Sequence, residues 1–371
     1  MNKFTHPAEF LARSTGKVAI AIALAGCVLT AGYAADSLPE YQPPQKLTGT
    51  IRAFGTSLAG VMKSWEEGFA KHHPEIRFDD KYPSGDVWPA GMEAGVADIG
   101  LSAREVTFSE YQGFTETFNS SPVEVVVATG SYDIKGRSWA VGIYVSKDNP
   151  ITQLTMKQLD GIFGSERTGA FVRLVWTPQL ARGADQNIRT WGQLGLTGEW
   201  ADKPIQTAGY GGNTISDYFR SKVLKGSDKW NPNYREYVEI KGKMPADDPL
   251  GRSLGSVNSM ADDLAKNKYA IGWTGVEQTK DTAGLKCLAI AADDAGPFVP
   301  LTRETVQART YPLVRNIYIV LPRPPGKALE PRVQEFLRYV LSREGQEIVA
   351  RSKIYLPLPA DIVQEQLKKI E

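Results

Sequence analysis

The chain has 371 residues, of which 42% are hydrophobic and 23% are charged. This length accommodates two ordinary domains or lobes, and the composition is typical of a folded globular protein, which excludes the disordered and fibrous classes. The formal net charge of +1 falls to about −1 without residues 1–34, because that segment carries an excess of basic residues. So balanced a charge argues against a nucleic-acid partner.

Residues 1–34 have the pattern of a secretory signal peptide. Arg13 and Lys17 precede an apolar run over 18–30 that is too short to span a bilayer comfortably, and small residues follow it. The segment therefore predicts export to the periplasm and cleavage at its end. A Leu-Ala-Gly-Cys run that ends at Cys27 also resembles a bacterial lipobox, so a lipoprotein anchored through Cys27 is the alternative.

A polar, proline-bearing segment over 35–46 follows and is predicted to be a linker outside the fold. After cleavage of the signal peptide, Cys287 has no other cysteine to pair with, so the mature chain is expected to form no intrachain disulfide. Because Cys287 lies in an apolar, strand-like run, we expect it to be a buried small hydrophobic residue.

The stretch that begins at Ile51 predicts a strand, a tight loop and then a helix. A short extended run ends at Gly55, Thr56 and Ser57 stand where a helix N-cap belongs, and apolar residues then recur at helical spacing as far as Phe69. Free amides at such a helix start, beside two small hydroxyls, form a donor set suited to an oxyanion. The alternative is that both hydroxyls only cap their own helix.

Histidine is scarce in the mature chain, which contains only His72 and His73. Both lie at the far end of the helix that follows Ser57, roughly 22 Å from it, so neither can activate that hydroxyl as a nucleophile. A zinc site built on nitrogen and sulfur is disfavoured for the same scarcity. We therefore predict a protein that is not an enzyme and has no cofactor or metal, although a catalytic pair of carboxylates stays open.

Short apolar runs alternate with helical patterns along the rest of the chain, which predicts an α/β protein with largely parallel sheets. Other strand ends also carry small polar residues. The second predicted strand leads to Ser84, Gly85 and Asp86, the third ends at Ser102, and a glycine-rich loop over 207–214 enters another helix. Ligands of open α/β sheets collect at the carboxyl ends of strands, so we expect these loops to share one site.

This series of segments resembles the periplasmic phosphate-binding proteins of bacterial ABC importers, from about residue 47 to residue 359. The likeness rests on the order of its parts, which are the loops described above, the segment 143–163, the runs 270–273 and 311–315, and the ending 341–359. It implies a two-lobed fold like that of type II periplasmic binding proteins, in which each lobe is a mixed sheet flanked by helices and two hinge crossovers join the lobes.

The resemblance also implies domain bounds, with lobe 1 comprising 47–142 and 312–371 and lobe 2 comprising 143–311. It implies a monomer that binds inorganic phosphate or a similar oxyanion in the cleft and delivers it to an ABC permease in the inner membrane. The ligand-binding residues implied by the matching loops are Thr56, Ser57, Ser84, Gly85, Asp86, Ser102, Arg104, Gly212, Asn213 and Thr214.

Two positions depart from the family pattern. Ala103 stands where the family carries a side chain that can touch the anion, and Ala208 replaces an arginine. Losing one arginine contact weakens binding by a factor of roughly ten to a hundred. Arg104 is the candidate to compensate, with Arg220 as the alternative, although a solvated helix face is the more common place for such an arginine.

Carboxylates decide which oxyanion is bound, because monohydrogen phosphate needs an acceptor for its proton and sulfate is repelled by one. Asp86 and Glu105 are the nearest candidates in the sequence. The alternative function is a phosphate-binding-protein-like module that has changed or lost its anion, for another oxyanion, an organic phosphate or a protein partner. The charged connection over 167–187 is then either a partner surface or a solvated loop.

Overall fold

The computed structural model describes residues 37–371 apart from 57, 86, 135–136, 212–213 and 239–253. Its strands are β1 (Thr48–Phe54), β2 (Glu75–Lys81), β3 (Ile99–Ser102), β4 (Val123–Thr129), β5 (Gly142–Ser146), β6 (Gln153–Thr155), β7 (Ala170–Val172), β8 (Val175–Thr177), β9 (Gln206–Tyr210), β10 (Arg235–Val238), β11 (Leu254–Ser256), β12 (Ala270–Thr274), β13 (Leu285–Cys287), β14 (Ala289–Ala291) and β15 (Asn316–Leu321). Its α-helices are α1 (Ala59–His72), α2 (Trp88–Glu93), α3 (Phe108–Phe118), α4 (Met156–Phe163), α5 (Thr214–Lys222), α6 (Met260–Lys266), α7 (Val276–Thr279), α8 (Arg303–Gln307), α9 (Pro331–Val340), α10 (Arg343–Ser352) and α11 (Ala360–Ile370). Over this part of the chain, no helix is long and apolar enough to cross a membrane.

The first sheet has the strand order β2-β1-β3-β15-β4. Strand β1 runs parallel to β2 and β3, whereas β15 is antiparallel to β3 and β4. Helix α1 forms where apolar residues are spaced by three and four, and it buries Trp65 and Phe69. Phe69 packs on Phe78 of β2, and the Trp65 Nε1 donates to the backbone oxygen of Gly345 at 2.9 Å. The carboxyl-terminal helices therefore complete the core of the first sheet.

The second sheet has the order β11-β10-β9-β12-β5-β13 and its own apolar core. Strand β9 is parallel to β10 and β12, while β5 is antiparallel to β12 and β13. Helix α4 begins with a capping box, in which Thr155 accepts the N–H of Gln158 and the Gln158 side chain bonds back to the Thr155 amide. Phe219 of α5 stacks on Trp273 of β12 with 4.4 Å between ring centroids, which fixes α5 on this sheet.

The chain crosses between the sheets twice, from β4 to β5 and from α8 to β15. The two crossovers are bonded to each other, because the N–H of Gly130 donates to the backbone oxygen of Arg315 at 2.8 Å and that of Val141 donates to Leu313 at 3.1 Å. The molecule thus has two lobes, each a mixed sheet flanked by helices, joined at paired crossovers. This confirms the fold class predicted from the sequence.

The prediction that residues 35–46 form a linker outside the fold is wrong for the described part of that segment. Leu38 is buried in the core of the first lobe. The Tyr41 hydroxyl lies 2.6 Å from the His73 Nε2, and the backbone oxygen of Pro39 accepts the N–H of Arg343 at 2.8 Å. The described residues before β1 therefore form a strap that packs on the first lobe.

Cys287 also differs from expectation, since it is exposed rather than buried. It ends β13, which is the edge strand of the second sheet as far as the chain is described, so no described strand pairs with one of its flanks. A run of apolar residues predicts a strand but does not say which strand lies at the edge.

The charged connection over 167–187 is partly buried and partly exposed. Arg167 and Arg182 are buried, and both reach Asp160 of α4. The Arg167 guanidinium binds the two carboxylate oxygens of Asp160 at 2.7 and 2.6 Å. Between these arginines, β7 and β8 form a hairpin that exposes Phe171 and Trp176.

Candidate functional site

The loops that follow β1, β2 and β3 lie at one edge of the first sheet. Phe54 pairs with Gly100 in the parallel register, which puts the ends of β1 and β3 side by side. Gly85 lies against Thr56, because a methyl group on Gly85 would be 3.6 Å from the Thr56 Oγ1. The structure therefore brings Thr56, Gly85 and Ser102 to the same edge of this sheet.

The other residues predicted to bind the ligand are described only in part. Ser84 is exposed next to Gly85. Thr214 is the first residue of α5, and only its backbone is described. The remaining predicted residues that lie outside the described part of the chain are Ser57, Asp86, Gly212 and Asn213.

Among the described residues, which leave out Ser57, no side chain caps the start of helix α1. Its N-cap residue is Leu58, and the Ala59 amide donates to the backbone oxygen of Thr56 at 3.1 Å. The Thr56 hydroxyl makes no bond to this helix in the described part of the chain, and the backbone amides of a helix start carry a partial positive charge. The turn before it requires glycine, since Gly55 has a φ of +118° and a Cβ there would lie 2.4 Å from the backbone oxygen of Leu101.

The end of β3 forms a compact buried turn. The Ser102 hydroxyl donates to the backbone oxygen of Arg104 at 2.9 Å, so it is turned toward its own loop. The Arg104 side chain is buried, and its two terminal nitrogens bind the Glu110 carboxylate at 2.7 and 2.8 Å. Burial raises the pKa of Glu110, but the Arg104 guanidinium and the Thr107 amide together lower it by more than burial raises it. The pKa of Glu110 therefore lies below its usual value. Arg104, the predicted cation of the site, is therefore already held by a carboxylate.

Helix α5 brings the second lobe to this turn. The Arg104 Nε lies 3.9 Å from a carboxylate oxygen of Asp217 in the first turn of α5. Asp217 also pairs with Arg220 at 3.0 Å, so the alternative cation is engaged as well. The two lobes meet here through opposite charges.

A second ion pair crosses between the lobes beside this contact. The carboxylate of Glu105, after β3, is paired with Lys222 at the end of α5 and accepts the Tyr318 hydroxyl at 3.1 Å. Burial raises the pKa of Glu105, but Lys222 and the hydrogen bonds to the carboxylate lower it by more, so the pKa of Glu105 lies below its usual value. Glu105 is therefore an ionised residue whose Oε1 has two partners, while its Oε2 is buried without a hydrogen-bond partner among the described residues.

Arg315, on the second crossover, is the polar residue that the sequence reasoning missed. Its side chain is buried, its Nη2 donates to the backbone oxygen of Ala103 at 2.5 Å, and its guanidinium lies 5.3 Å from the centre of the Tyr218 ring in α5. Arg137, on the first crossover, lies over the first turn of α1, where a methyl group on Gly60 would be 3.2 Å from the Arg137 Nη2. Two arginines of the crossovers thus flank the strand and helix ends described above.

Comparison with known proteins identifies the family. The chain matches the model of the PBP superfamily domain over residues 42–344. It is 30% identical over 338 residues to the phosphate-binding protein PstS of Pseudomonas aeruginosa, a match that covers 90% of this chain and 91% of that protein. The chain belongs to the PstS family of the PBP superfamily. This confirms the resemblance seen in the sequence.

Other members of the PstS family and one solved structure agree. The phosphate-binding protein PstS of Staphylococcus epidermidis is 26% identical over 337 residues, covering 88% of this chain and 84% of that one. The crystal structure of PstS from Borrelia burgdorferi has a TM-score of 0.50 and 17% identity, and it covers 85% of this chain and 99% of that chain. The latter likeness shows that the fold is shared.

The two alanines that depart from the PstS family pattern are both buried. Ala208 packs in the core of the second lobe, and Ala103 offers only its backbone oxygen, which Arg315 occupies. The sequence carried one signal for Arg315, a lone cation directly before the apolar run of β15. That signal does not tell whether the side chain turns inward or toward solvent.

Proposed function

We propose that this protein is the periplasmic substrate-binding component of an ABC importer and binds phosphate in a cleft between its lobes. The lobes are assigned to 47–142 with 312–371 and to 143–311, and the segment before residue 47 packs on the first of them through Leu38. The observation that carries the proposal is that the turn after β3 lies between two helix starts: the residues before α1 contact the end of β3, and Arg104 in the turn faces Asp217 in the first turn of α5, with the buried Arg315 guanidinium beside them. Amide dipoles and guanidinium groups held in place can replace the water around an oxyanion.

The proposed ligand set follows from this meeting point. Thr56 and Ser57 supply hydroxyls at the start of α1, and Gly212, Asn213 and Thr214 supply donors at the start of α5. Amides at two helix starts that face one anion each add favourable partial charge. In this assignment Ser84, Gly85 and Ser102 shape the edge of the cleft, and Arg104 ties its two sides together.

Selection of phosphate over sulfate requires an acceptor for the phosphate proton. Glu105 is already held by Lys222 and Tyr318. The proposal therefore assigns the acceptor to Asp86, which follows Gly85 in the loop beside Thr56. Replacing that carboxylate by an amide is expected to narrow the preference for phosphate over sulfate.

The assignment to transport rests on the relatives, which are named phosphate-binding proteins PstS. In this proposal the protein acts as a monomer, catalyses no reaction, needs no cofactor, and passes phosphate to a permease of the inner membrane. Signal-peptide cleavage would release it into the periplasm, and lipidation at Cys27 would instead tether it there.

Calorimetric titration of residues 36–371 with phosphate, and then with sulfate, tests this function after dialysis has removed carried-over ligand. We expect saturable one-to-one binding of phosphate at micromolar concentration or below, and no heat with sulfate. Heat with sulfate or with an organic phosphate alone would favour a module that has changed its anion. No binding of any oxyanion would contradict the proposal and favour a protein-interaction role.

The Thr56→Val variant localises the binding in the same assay. Losing one hydroxyl that donates to an ionised ligand is expected to weaken phosphate binding roughly tenfold. Thr177→Val is the matched control, because Thr177 lies on the β7–β8 hairpin and its hydroxyl donates only to the backbone oxygen of Val175, at 3.3 Å, among the described contacts. Equal phosphate affinity in both variants would contradict the assigned site.

A further inference from the structure

Arg315 differs from the other buried arginines of the described chain in having no carboxylate partner. Arg104 pairs with Glu110, and Arg167 and Arg182 share Asp160. Arg315 is only 5% exposed, and no ion pair within 4.0 Å is present for it among the described residues. Its Nε is buried and has no hydrogen-bond partner there.

The guanidinium of Arg315 has two described contacts, one with a backbone oxygen and one with an aromatic ring. Its Nη2 donates to the backbone oxygen of Ala103, and its plane lies near the ring of Tyr218. The Tyr218 hydroxyl is already used, since it donates to the backbone oxygen of Val314 at 2.8 Å. A neutral oxygen and an aromatic face stabilise a cation less than a carboxylate does.

This arrangement of Arg315 lowers the free energy of unfolding. Burial lowers the pKa of Arg315 by more than Tyr218, Tyr355 and Glu105 raise it, yet a guanidinium stays charged in proteins. A buried charge without a counter-charge is strongly destabilising. Such a group is retained most simply where a ligand brings the missing negative charge.

The position of Arg315 matches that of the anion in the proposed function. Ala103 lies in the turn after β3 of the first lobe, and Tyr218 lies in α5 of the second lobe. Arg315 itself lies on the crossover between the lobes. Its backbone oxygen accepts the N–H of Gly130 from the other crossover at 2.8 Å. One side chain therefore touches both lobes and the hinge.

We propose that Arg315 supplies the positive charge that holds the bound oxyanion, and that it replaces the arginine absent at Ala208. This inference rests on the proposed function and names the residue that gives its site a net attraction for an oxyanion. The Nε–H, which has no hydrogen-bond partner among the described residues, is the donor assigned to a ligand oxygen.

Phosphate titration of three variants tests the inference. In Arg315→Met we expect phosphate affinity to fall by roughly 10- to 100-fold, the loss of one charge-assisted contact, while the melting temperature without phosphate stays unchanged or rises. In Arg315→Lys we expect a smaller loss, because the charge remains but the planar fork does not.

Arg309→Met is the matched control. Arg309 is a partly buried arginine of the same crossover, but its terminal nitrogens donate to Thr129 at 3.0 Å and to Asn316 at 2.7 Å. A structural arginine of this kind should lower the melting temperature without phosphate when it is removed, and leave phosphate affinity within about threefold. If Arg315→Met behaves as Arg309→Met does, the inference is overturned.

A measurement on the unmodified side chain covers the case in which Arg315→Met fails to fold. The Nε–H resonance of Arg315 is assigned in the wild-type protein by its absence from Arg315→Lys, and phosphate is then added. We expect this resonance to shift and saturate with the calorimetric binding curve. Phosphate binding without any shift would overturn the role of Arg315 and leave the proposed function standing, whereas no phosphate binding by the wild type would overturn both.

Discussion

Arg104 in the turn after β3 and Asp217 in the first turn of α5 face each other between the lobes, with 3.9 Å between the Arg104 Nε and an Asp217 oxygen. Glu110 occupies the two terminal nitrogens of the same guanidinium. Arg104 therefore lies between one carboxylate from each lobe, and its charge is neutralised before any ligand arrives. Its first role is to join the lobes, so the net attraction for an anion must come from elsewhere.

The Arg104–Glu110 pair should make stability depend on pH. Because the pKa of Glu110 is lowered in the folded protein, its stabilising effect is present above the usual glutamate pKa of about 4.3 and is lost as pH falls through the lower, folded value. Glu110→Gln should lower the free energy of unfolding at pH 7 by about 3 kcal/mol, since Arg104 is left buried without this partner. Urea unfolding at several pH values measures this.

The deficit of Glu110→Gln should shrink as the pH is lowered toward 3, because the wild-type carboxylate then becomes protonated too. Glu67→Gln is the control, since its contact with Lys63 at 3.9 Å is between exposed side chains and should leave the unfolding curve unchanged. A deficit that is the same at pH 7 and pH 3 would show that the pair is not the cause.

Gly55 should be irreplaceable at the turn before α1. Gly55→Ala forces a Cβ to within 2.4 Å of the Leu101 backbone oxygen at a φ of +118°, so we expect a loss of about 3 kcal/mol or more in the free energy of unfolding. Gly95→Ala is the matched control, because Gly95 also has a positive φ but has nothing within 4 Å of its added Cβ. It should cost about 1 kcal/mol. Equal losses would mean that backbone conformation, and not the clash, sets the requirement.

The strap before β1 should stabilise the first lobe. Leu38 is buried in its core, so Leu38→Ala is expected to lower the free energy of unfolding by about 2–4 kcal/mol. A chain that begins at residue 47 should melt at a lower temperature still, because it also lacks Tyr41. Unaltered melting of the shortened chain would restore the interpretation of this segment as a linker.

The β7–β8 hairpin should couple the lobes through its aromatic tip. Phe171 of β7 contacts Phe108 of α3 with 4.6 Å between ring centroids. A double-mutant cycle with Phe108→Ala and Phe171→Ala, followed by urea unfolding, should give a coupling energy of about 0.5–1 kcal/mol. Additive losses would mean that the rings touch without stabilising each other.

Local patterns in the sequence were sufficient to predict the elements that carry the site. The spacing of Trp65 and Phe69 predicted α1, and Thr155 marked the start of α4. The sequence was misleading where long-range contacts decide the outcome. The segment around Leu38 looked like a linker because a partner such as Arg343, which bonds Pro39, lies hundreds of residues away. The inward turn of Arg315 depends on how the crossover passes Ala103 and Tyr218.

The site could be predicted only as a set of strand ends. Small polar residues after strands indicated where a ligand would bind, but not which of them had already formed bonds within the protein. Ser102 and Arg104 are both bonded within their own loop or to Glu110. Such competition between partners appears only once the loops are placed in space.

The most direct test of the account is diffraction from crystals grown with arsenate, a tetrahedral oxyanion that resembles phosphate and whose arsenic scatters anomalously. We predict one strong anomalous peak between the start of α1, the Ala103 turn and the start of α5, within hydrogen-bonding reach of the Arg315 Nε through an arsenate oxygen. A peak at any other place, or none at saturating arsenate, would contradict the claim that this cleft binds an oxyanion.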